Sequence, residues 1–166
     1  MSSCAIYPGS FDPPTLGHIS LITRGLDVFD KIIVAVAVNP NKASLFTVSE
    51  RLELLKESLS MYGKDRVEID SFQGLTVQYA RSRNATAVLR GLRVAADFEY
   101  EFQLAMINRH LDQDVQSVFL MADYQWFFIS SSTVKEAASL GADIDDLVPS
   151  CVARELKNKF KDNCRL

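Results

Sequence analysis

Only three cysteines occur in the 166 residues: Cys4, Cys151 and Cys164, odd in number, far apart and never in CxxC spacing. That pattern predicts free thiols in a reducing, cytoplasmic compartment rather than a disulfide framework. Long hydrophobic runs are missing too. The longest aliphatic stretch, Ile32 to Val38, has seven residues, against the roughly 20 that a membrane-spanning helix needs, so it reads as a buried strand. Met1-Ser2-Ser3-Cys4 offers no basic segment leading into an apolar one, and no secretory signal is expected. Nor is positive charge in excess: 18 Lys and Arg against 21 Asp and Glu leave a net charge of -3. This argues against a nucleic-acid or membrane-surface binder held by bulk electrostatics, and any anionic ligand must find a local basic site. Internal repeats, low-complexity segments and Gly/Ser/Pro-rich linkers are also lacking. With 48% apolar and 23% charged residues, residues 1–166 are expected to form a single domain around one sizeable core.

What is present alternates strand and helix. Cys4-Ala5-Ile6-Tyr7 reads as a short strand, ended by Pro8-Gly9 and a rigid Asp12-Pro13-Pro14 turn. A helix follows from about Gly17, with Ile19, Ile22, Leu26 and Phe29 on one stripe. Lys31 to Val38 is β-branched and continuously apolar, as befits a strand covered on both faces. Thr47-x-x-Glu50 has capping-box spacing ahead of the stripe Val48, Leu52, Leu55 and Leu59. Further strands are expected at Val67 to Asp70, Ala87 to Leu89 and Val118 to Met121. Helices are expected at Thr76 to Arg83, Asp97 to Leu111, Thr133 to Ala138 and around Val152, Leu156 and Phe160. The helix Asp97 to Leu111 carries two apolar sets, which suits either a subunit contact or deep burial in one monomer. The alternation predicts an α/β fold: a doubly wound, Rossmann-like parallel sheet with helices on both faces. Its ligands should sit beyond the carboxyl ends of the strands.

At the first such end stands Gly9-Ser10-Phe11-Asp12-Pro13-Pro14-Thr15-Leu16-Gly17-His18. A strand-to-helix loop of this kind presents free backbone N–H groups to an anion. Gly17 allows close approach, and His18 in the first turn can donate to the same anion. A helix N-terminus disfavours imidazolium, so His18 is expected to be neutral. The competing structural reading is a histidine bonded only to its own turn. No Ser/His/Asp arrangement, Cys/His pair or metal-ligand cluster is visible, an absence that suits chemistry whose nucleophile belongs to the substrate.

Gly-Ser-Phe-Asp-Pro-x-Thr-x-Gly-His resembles the (T/H)xGH signature of the nucleotidyltransferase superfamily. Arg90-Gly91-Leu92-Arg93-Val94-Ala95-Ala96-Asp97-Phe98-Glu99-Tyr100-Glu101, Asn108-Arg109-His110-Leu111 and Phe128-Ile129-Ser130-Ser131-Ser132 follow in order. Together they are similar to the bacterial-type phosphopantetheine adenylyltransferase family, over roughly Ala5 to Phe160. The resemblance implies transfer of the adenylyl group of ATP to 4′-phosphopantetheine, giving dephospho-coenzyme A and pyrophosphate, by one complete enzyme with no fused second activity. It implies that His18 stabilises the transition state and that Lys42 engages the reacting phosphates. For ATP it implies Ser10, Phe11, His18, Gly91, Leu92, Arg93, Glu101 and the segment Trp126, Phe127, Phe128, Ile129, Ser130, Ser131 and Ser132. For the second substrate it implies Ser10, Lys42, Thr76 and Arg90. Mg²⁺ held mainly by ATP phosphates with no protein metal ligand, a homohexamer and coenzyme A as feedback inhibitor complete the expectation.

This chain departs from the family's usual residues at Phe127, Ala122, Asp123 and Thr76, all in substrate-facing positions. Without the resemblance, Lys42 is an ordinary loop lysine, Arg90 and Arg93 a surface pair, and the serines an N-cap. Two other functions compete. One is a sibling nucleotidyltransferase acting on nicotinamide mononucleotide or using CTP, against which the Arg90 to Arg93 stretch stands. The other is a non-catalytic nucleotide-binding protein, which loss of His18 or the cations would have favoured.

Overall fold

The computed structural model describes residues 3–41 and 43–161, the side chain of Ala96 excepted; Lys42 and Cys164 lie outside the described residues. Five strands, β1 (Cys4–Gly9), β2 (Lys31–Ala37), β3 (Val67–Phe72), β4 (Ala87–Leu92) and β5 (Gln116–Met121), form one sheet in the order β3-β2-β1-β4-β5. All pairings are parallel. Helices α1 (Leu16–Gly25), α2 (Val48–Ser58), α3 (Thr76–Ser82), α4 (Ala95–Leu111), α5 (Ser131–Ser139) and α6 (Ser150–Lys159) separate or follow them. This is the doubly wound α/β architecture expected from the alternation.

Period-two alternation divides the core between the faces of the sheet. Ile32, Val34 and Val36 of β2 pack with Ala5, Tyr7 and Leu89 against Ile22 and Leu55 of the first two helices. Ile33 and Ala35 point the other way, to Ile6, Val88 and the α3 residues Val77 and Ala80. A satellite cluster joins Phe46 and Leu54 to Val134, Val152 and Leu156. Helix α4 is different. Glu101 is its one buried residue among those described, while Phe98, Tyr100, Phe102, Met106 and Ile107 are about half exposed. Deep burial within one chain, one of the two readings of its double apolar pattern, is therefore not what this helix adopts.

Strand order reverses between β1 and β4, and there the pairing is short: Ala5↔Ala87 and Ile6↔Val88. The Cys4 carbonyl on this edge accepts the Thr86 N–H at 3.0 Å. Four residues on, the same edge carries Pro8, which has no N–H to donate and whose carbonyl instead accepts from Arg90 Nη1 at 3.1 Å. Both strands run on, β1 to Gly9 and β4 to Leu92, without pairing to each other. A crevice opens at the topological switch point.

The loops around this crevice are cross-braced by Asp12, whose carboxylate is buried. Oδ1 accepts the Phe46 N–H at 2.8 Å, and Oδ2 accepts the Leu45 N–H at 3.1 Å and Lys135 Nζ of α5 at 2.6 Å. Arg51, also buried, donates from Nη1 to the Ser10 carbonyl at 2.8 Å. The Leu16 N–H donates to the Leu147 carbonyl at 3.0 Å. Desolvation alone would push the Asp12 carboxyl up, but the bonds from Lys135, Phe46 and Leu45 outweigh it and hold the carboxyl below its ordinary range. Its stabilising effect is thus present above the ordinary carboxylate range and lost as acid titrates the folded form. Asp12→Ala, which leaves Lys135 and two amides without their acceptor, should lower the unfolding free energy by about 3 kcal/mol at neutral pH, measured by urea denaturation.

Candidate active site

Helix α1 begins at the N-cap Thr15, whose side chain accepts the His18 N–H at 3.4 Å. His18 completes the capping box in the place usually held by Glu or Gln: the Thr15 N–H donates to its Nδ1 at 3.0 Å. Because Nδ1 accepts that bond, the neutral ring carries its proton on Nε2, the nitrogen left for a ligand. The ring packs edge-on against Phe11, with centroids 5.1 Å apart. Burial first, and then the Arg93 guanidinium, push the imidazole down to about pKa 4. His18 is a neutral hydrogen-bond donor throughout the physiological range.

The ring forms part of a cavity of about 260 Å³ at the switch point. The carboxyl end of β1 contributes Tyr7, Pro8 and Gly9, the start of α1 contributes Thr15, Gly17, His18 and Leu21, and the end of β4 contributes Arg90, Gly91 and Arg93. Glu101 of α4 and Ala122, Trp126, Ile129, Ser130 and Ser131 close it. The first turns of two helices, α1 and α5, therefore border one space, an arrangement suited to a polyanion.

The cations are balanced in place. Arg90 donates from Nε to Glu101 Oε2 at 2.7 Å and from Nη2 to Glu101 Oε1, a bidentate pair, while Nη1 holds the Pro8 carbonyl. Three of its five N–H donors are engaged, leaving two for a ligand. Arg93 grips Asp97 through Nε at 3.0 Å and Nη2 at 3.2 Å, and reaches across to the Ile129 carbonyl through Nη1 at 3.2 Å. Both guanidiniums are thus oriented by the protein's own groups.

Of the residues singled out in the sequence, His18, Arg90, Gly91, Arg93, Glu101, Trp126, Ile129, Ser130 and Ser131 meet at this cavity. Thr76 lines a smaller neighbour of about 70 Å³ that shares Pro8, Arg90 and Glu101 with it and adds Leu104, Ala105, Asn108, Ser117 and Phe119. Lys42 lies outside the described residues. Ser10, Phe11, Leu92, Phe127, Phe128 and Ser132 do not line the larger cavity. Phe11 departs because its backbone turns left-handed, at φ 47, and folds the ring into the core, where it is 1% exposed. A Cβ on Gly9 would meet that ring at 2.9 Å, so glycine is needed there. Leu92 is buried in the protein, while Phe127 and Phe128 face outward. Ser130 and Ser131 use their hydroxyls on the protein. Ser130 Oγ accepts the Thr133 N–H at 3.1 Å as the α5 N-cap, and Ser131 Oγ donates to the Pro13 carbonyl at 2.7 Å. N-capping, the alternative reading of these serines, is what Ser130 does, and its segment faces the cavity as well.

Sequence reasoning missed Tyr7, Thr15 and Leu21 as lining residues, and the pairing of Arg90 with Glu101. Thr15 was legible in principle, since Thr-x-x-His has capping-box spacing; the others depend on how strands splay. Among the described residues, no group of three or more His, Cys, Asp or Glu side chains stands together to hold a metal.

The profile of the family described as Cytidylyltransferase-like matches residues 6–137. The chain is 54% identical over 156 residues to the phosphopantetheine adenylyltransferase of Desulfosudis oleivorans, covering 94% of this chain and 92% of that protein. It is 52% identical over 159 residues to the phosphopantetheine adenylyltransferase of Caldanaerobacter subterraneus, covering 95% and 97%. Among solved structures, a Vibrio parahaemolyticus protein described as a nicotinate-nucleotide adenylyltransferase superposes with a TM-score of 0.67 at 17% identity, covering 94% of this chain and 99% of that one. At that identity it attests the fold alone.

A histidine depressed from 6.5 to about 4 makes a direct prediction. The folded protein binds this proton more weakly than the unfolded chain does. The His18 contribution to stability is therefore full above pH 6.5 and falls away as the pH drops through about 4. NMR titration of the His18 ring nitrogens should give a flat trace from pH 5.5 to 8 with the proton on Nε2; a midpoint near 6.5 would contradict this.

Proposed function

The chain belongs to the Cytidylyltransferase-like family and, within it, to the phosphopantetheine adenylyltransferases, and on that premise we propose that the switch-point cavity is where ATP and 4′-phosphopantetheine react. The enzyme transfers the adenylyl group of ATP to 4′-phosphopantetheine, yielding dephospho-coenzyme A and pyrophosphate. The observation that carries the site assignment is the convergence of a neutral His18, two oriented guanidiniums and two helix N-termini on one cavity.

The reaction needs no protein nucleophile. A phosphate monoester loses its second proton near pH 6, so one of its oxygens is already anionic at neutral pH. That oxygen attacks the α-phosphorus of ATP, a new P–O bond forms, the α–β bridging bond breaks, and pyrophosphate leaves with the electron pair. The protein's part is alignment and charge stabilisation. His18 donates its Nε2 proton as a hydrogen bond to the α-phosphate, whose charge grows in the transition state. Arg93 and the first turn of α5 hold the leaving phosphates. The spare N–H groups of Arg90 hold the incoming phosphate, at the boundary between the larger cavity and the smaller one. The smaller cavity, with apolar Leu104, Ala105 and Phe119 beside polar Asn108 and Ser117, suits the pantetheine arm. Thr76 is its sequence-expected member. Ser10 and Lys42 are assigned to the incoming phosphate on family resemblance. Mg²⁺ would be held mainly by the phosphate oxygens of ATP and by water, and would neutralise charge on the triphosphate.

The exposed apolar face of α4 supports assembly into the family's hexamer, since monomers seldom leave so large a patch in water. Coenzyme A combines a pantetheine arm with an adenine nucleotide and would compete across both cavities, which supports its role as inhibitor. No described helix is long and apolar enough to cross a membrane, and the free Cys4 and Cys151 suit a reducing cytoplasm.

With ATP, Mg²⁺ and 4′-phosphopantetheine, pyrophosphate and dephospho-coenzyme A should appear together. With nicotinamide mononucleotide in place of phosphopantetheine, neither adenylated product nor pyrophosphate should form. His18→Ala should lower the single-turnover rate by about 10²- to 10³-fold with ATP binding largely intact, and an unchanged rate would remove His18 from the mechanism. Phe102→Glu, which puts a charge into the α4 patch, should reduce the particle mass seen by light scattering below the wild-type hexamer.

A further inference from the structure

The hydroxyl of Tyr7 takes no part in the chemistry above, yet its setting is that of a ligand contact. Tyr7 lies on β1 and is 8% exposed. Its ring is braced edge-on by Phe11 at 5.4 Å and lies 6.4 Å from the His18 ring, centroid to centroid. A buried tyrosine oxygen ordinarily finds a hydrogen-bond partner. Every fully enclosed side-chain oxygen and nitrogen among the described residues has one, whereas no bond engages the Tyr7 hydroxyl within the described residues. That oxygen is therefore not sealed, and the space it opens onto is the cavity the side chain lines.

The charges that act on the oxygen are those of the site: Arg90, Arg93 and Glu101. Burial, the largest influence, raises its pKa, so the phenol keeps its proton and is available as a donor. A protonated donor among two guanidiniums and two helix N-termini matches an anionic oxygen better than a base edge. We propose that the Tyr7 hydroxyl is a further nucleotide ligand, donating a hydrogen bond to a phosphate oxygen of ATP on the same wall as His18 Nε2. The inference rests on the assignment of this cavity to ATP. It gives β1 a second function, since the strand that builds the core also carries a binding group at its carboxyl end.

Tyr7→Phe removes the oxygen and keeps the ring. Isothermal titration of the full chain with MgATP should give a Kd about five- to twentyfold higher in the variant. Adenosine, which lacks phosphate and is measured by competition, should bind both proteins equally. The thermal midpoint should stay within about 1 °C, because no hydrogen bond inside the protein is lost. An unchanged Kd for MgATP overturns the proposal. Equal weakening of MgATP and adenosine overturns it as well, by moving the contact to the nucleoside, and a large fall in thermal midpoint overturns it by giving the hydroxyl to the fold. Wild-type turnover with phosphopantetheine is measured separately, so loss of the activity reading and loss of the Tyr7 contact are distinguishable.

Discussion

One buried carboxylate, that of Asp12, holds the loops of the site to one another. Its two oxygens reach the amides of Leu45 and Phe46 at the entry to α2 and the ammonium of Lys135 in α5. Three parts of the chain that never neighbour one another in sequence are joined at a point. Strand positions are dictated by many small apolar contacts, any of which the core can lose. Loop positions have no such redundancy, and a charge buried with its partners concentrates the requirement in a few bonds. The grip of Arg51 on the Ser10 carbonyl and of Ser131 on the Pro13 carbonyl adds to the brace.

Fixed loops allow fixed electrostatics. The cavity is lined by guanidiniums already committed to Glu101 and Asp97, and by an imidazole that stays uncharged. Each arginine keeps spare N–H donors while its orientation is set by its carboxylate, so little conformational freedom is left to lose on binding. The neutral histidine avoids adding a third positive charge beside Arg93, which is one cause of its low pKa. A chain of net charge -3 can therefore still gather hydrogen-bond donors at one cavity.

Periodic features of this fold were legible in the sequence, and singular ones were not. Continuous Ile32 to Val38 and the Thr47-x-x-Glu50 box each place an element within a residue or two of where it lies, while the Ile19, Ile22, Leu26 and Phe29 stripe overruns α1, which ends at Gly25. His18 and Arg90 stood out through the family resemblance; the residues alone left His18 open to a bond with its own turn and Arg90 open to a surface pair. The burial of the Phe11 ring was not legible: the backbone turns left-handed there, at φ 47, and the ring is 1% exposed. The Arg90–Glu101 pair joins a strand to the following helix, and no local pattern marks such a contact. The exposed faces of α4 read as apolar from spacing, but which face meets solvent is settled only by tertiary packing.

Pro8 carries a consequence for the shape of the sheet. A sheet edge with complete donors and acceptors tends to zip shut, and a cleft between two such strands would have to be pried apart by whatever enters it. At Pro8 the zipper lacks a tooth: there is no N–H for β4 to accept, and the carbonyl is occupied by Arg90. Strand pairing therefore stops at Ile6 and Val88 of its own accord. The gap is thus written into the backbone itself, by one residue that has nothing to donate.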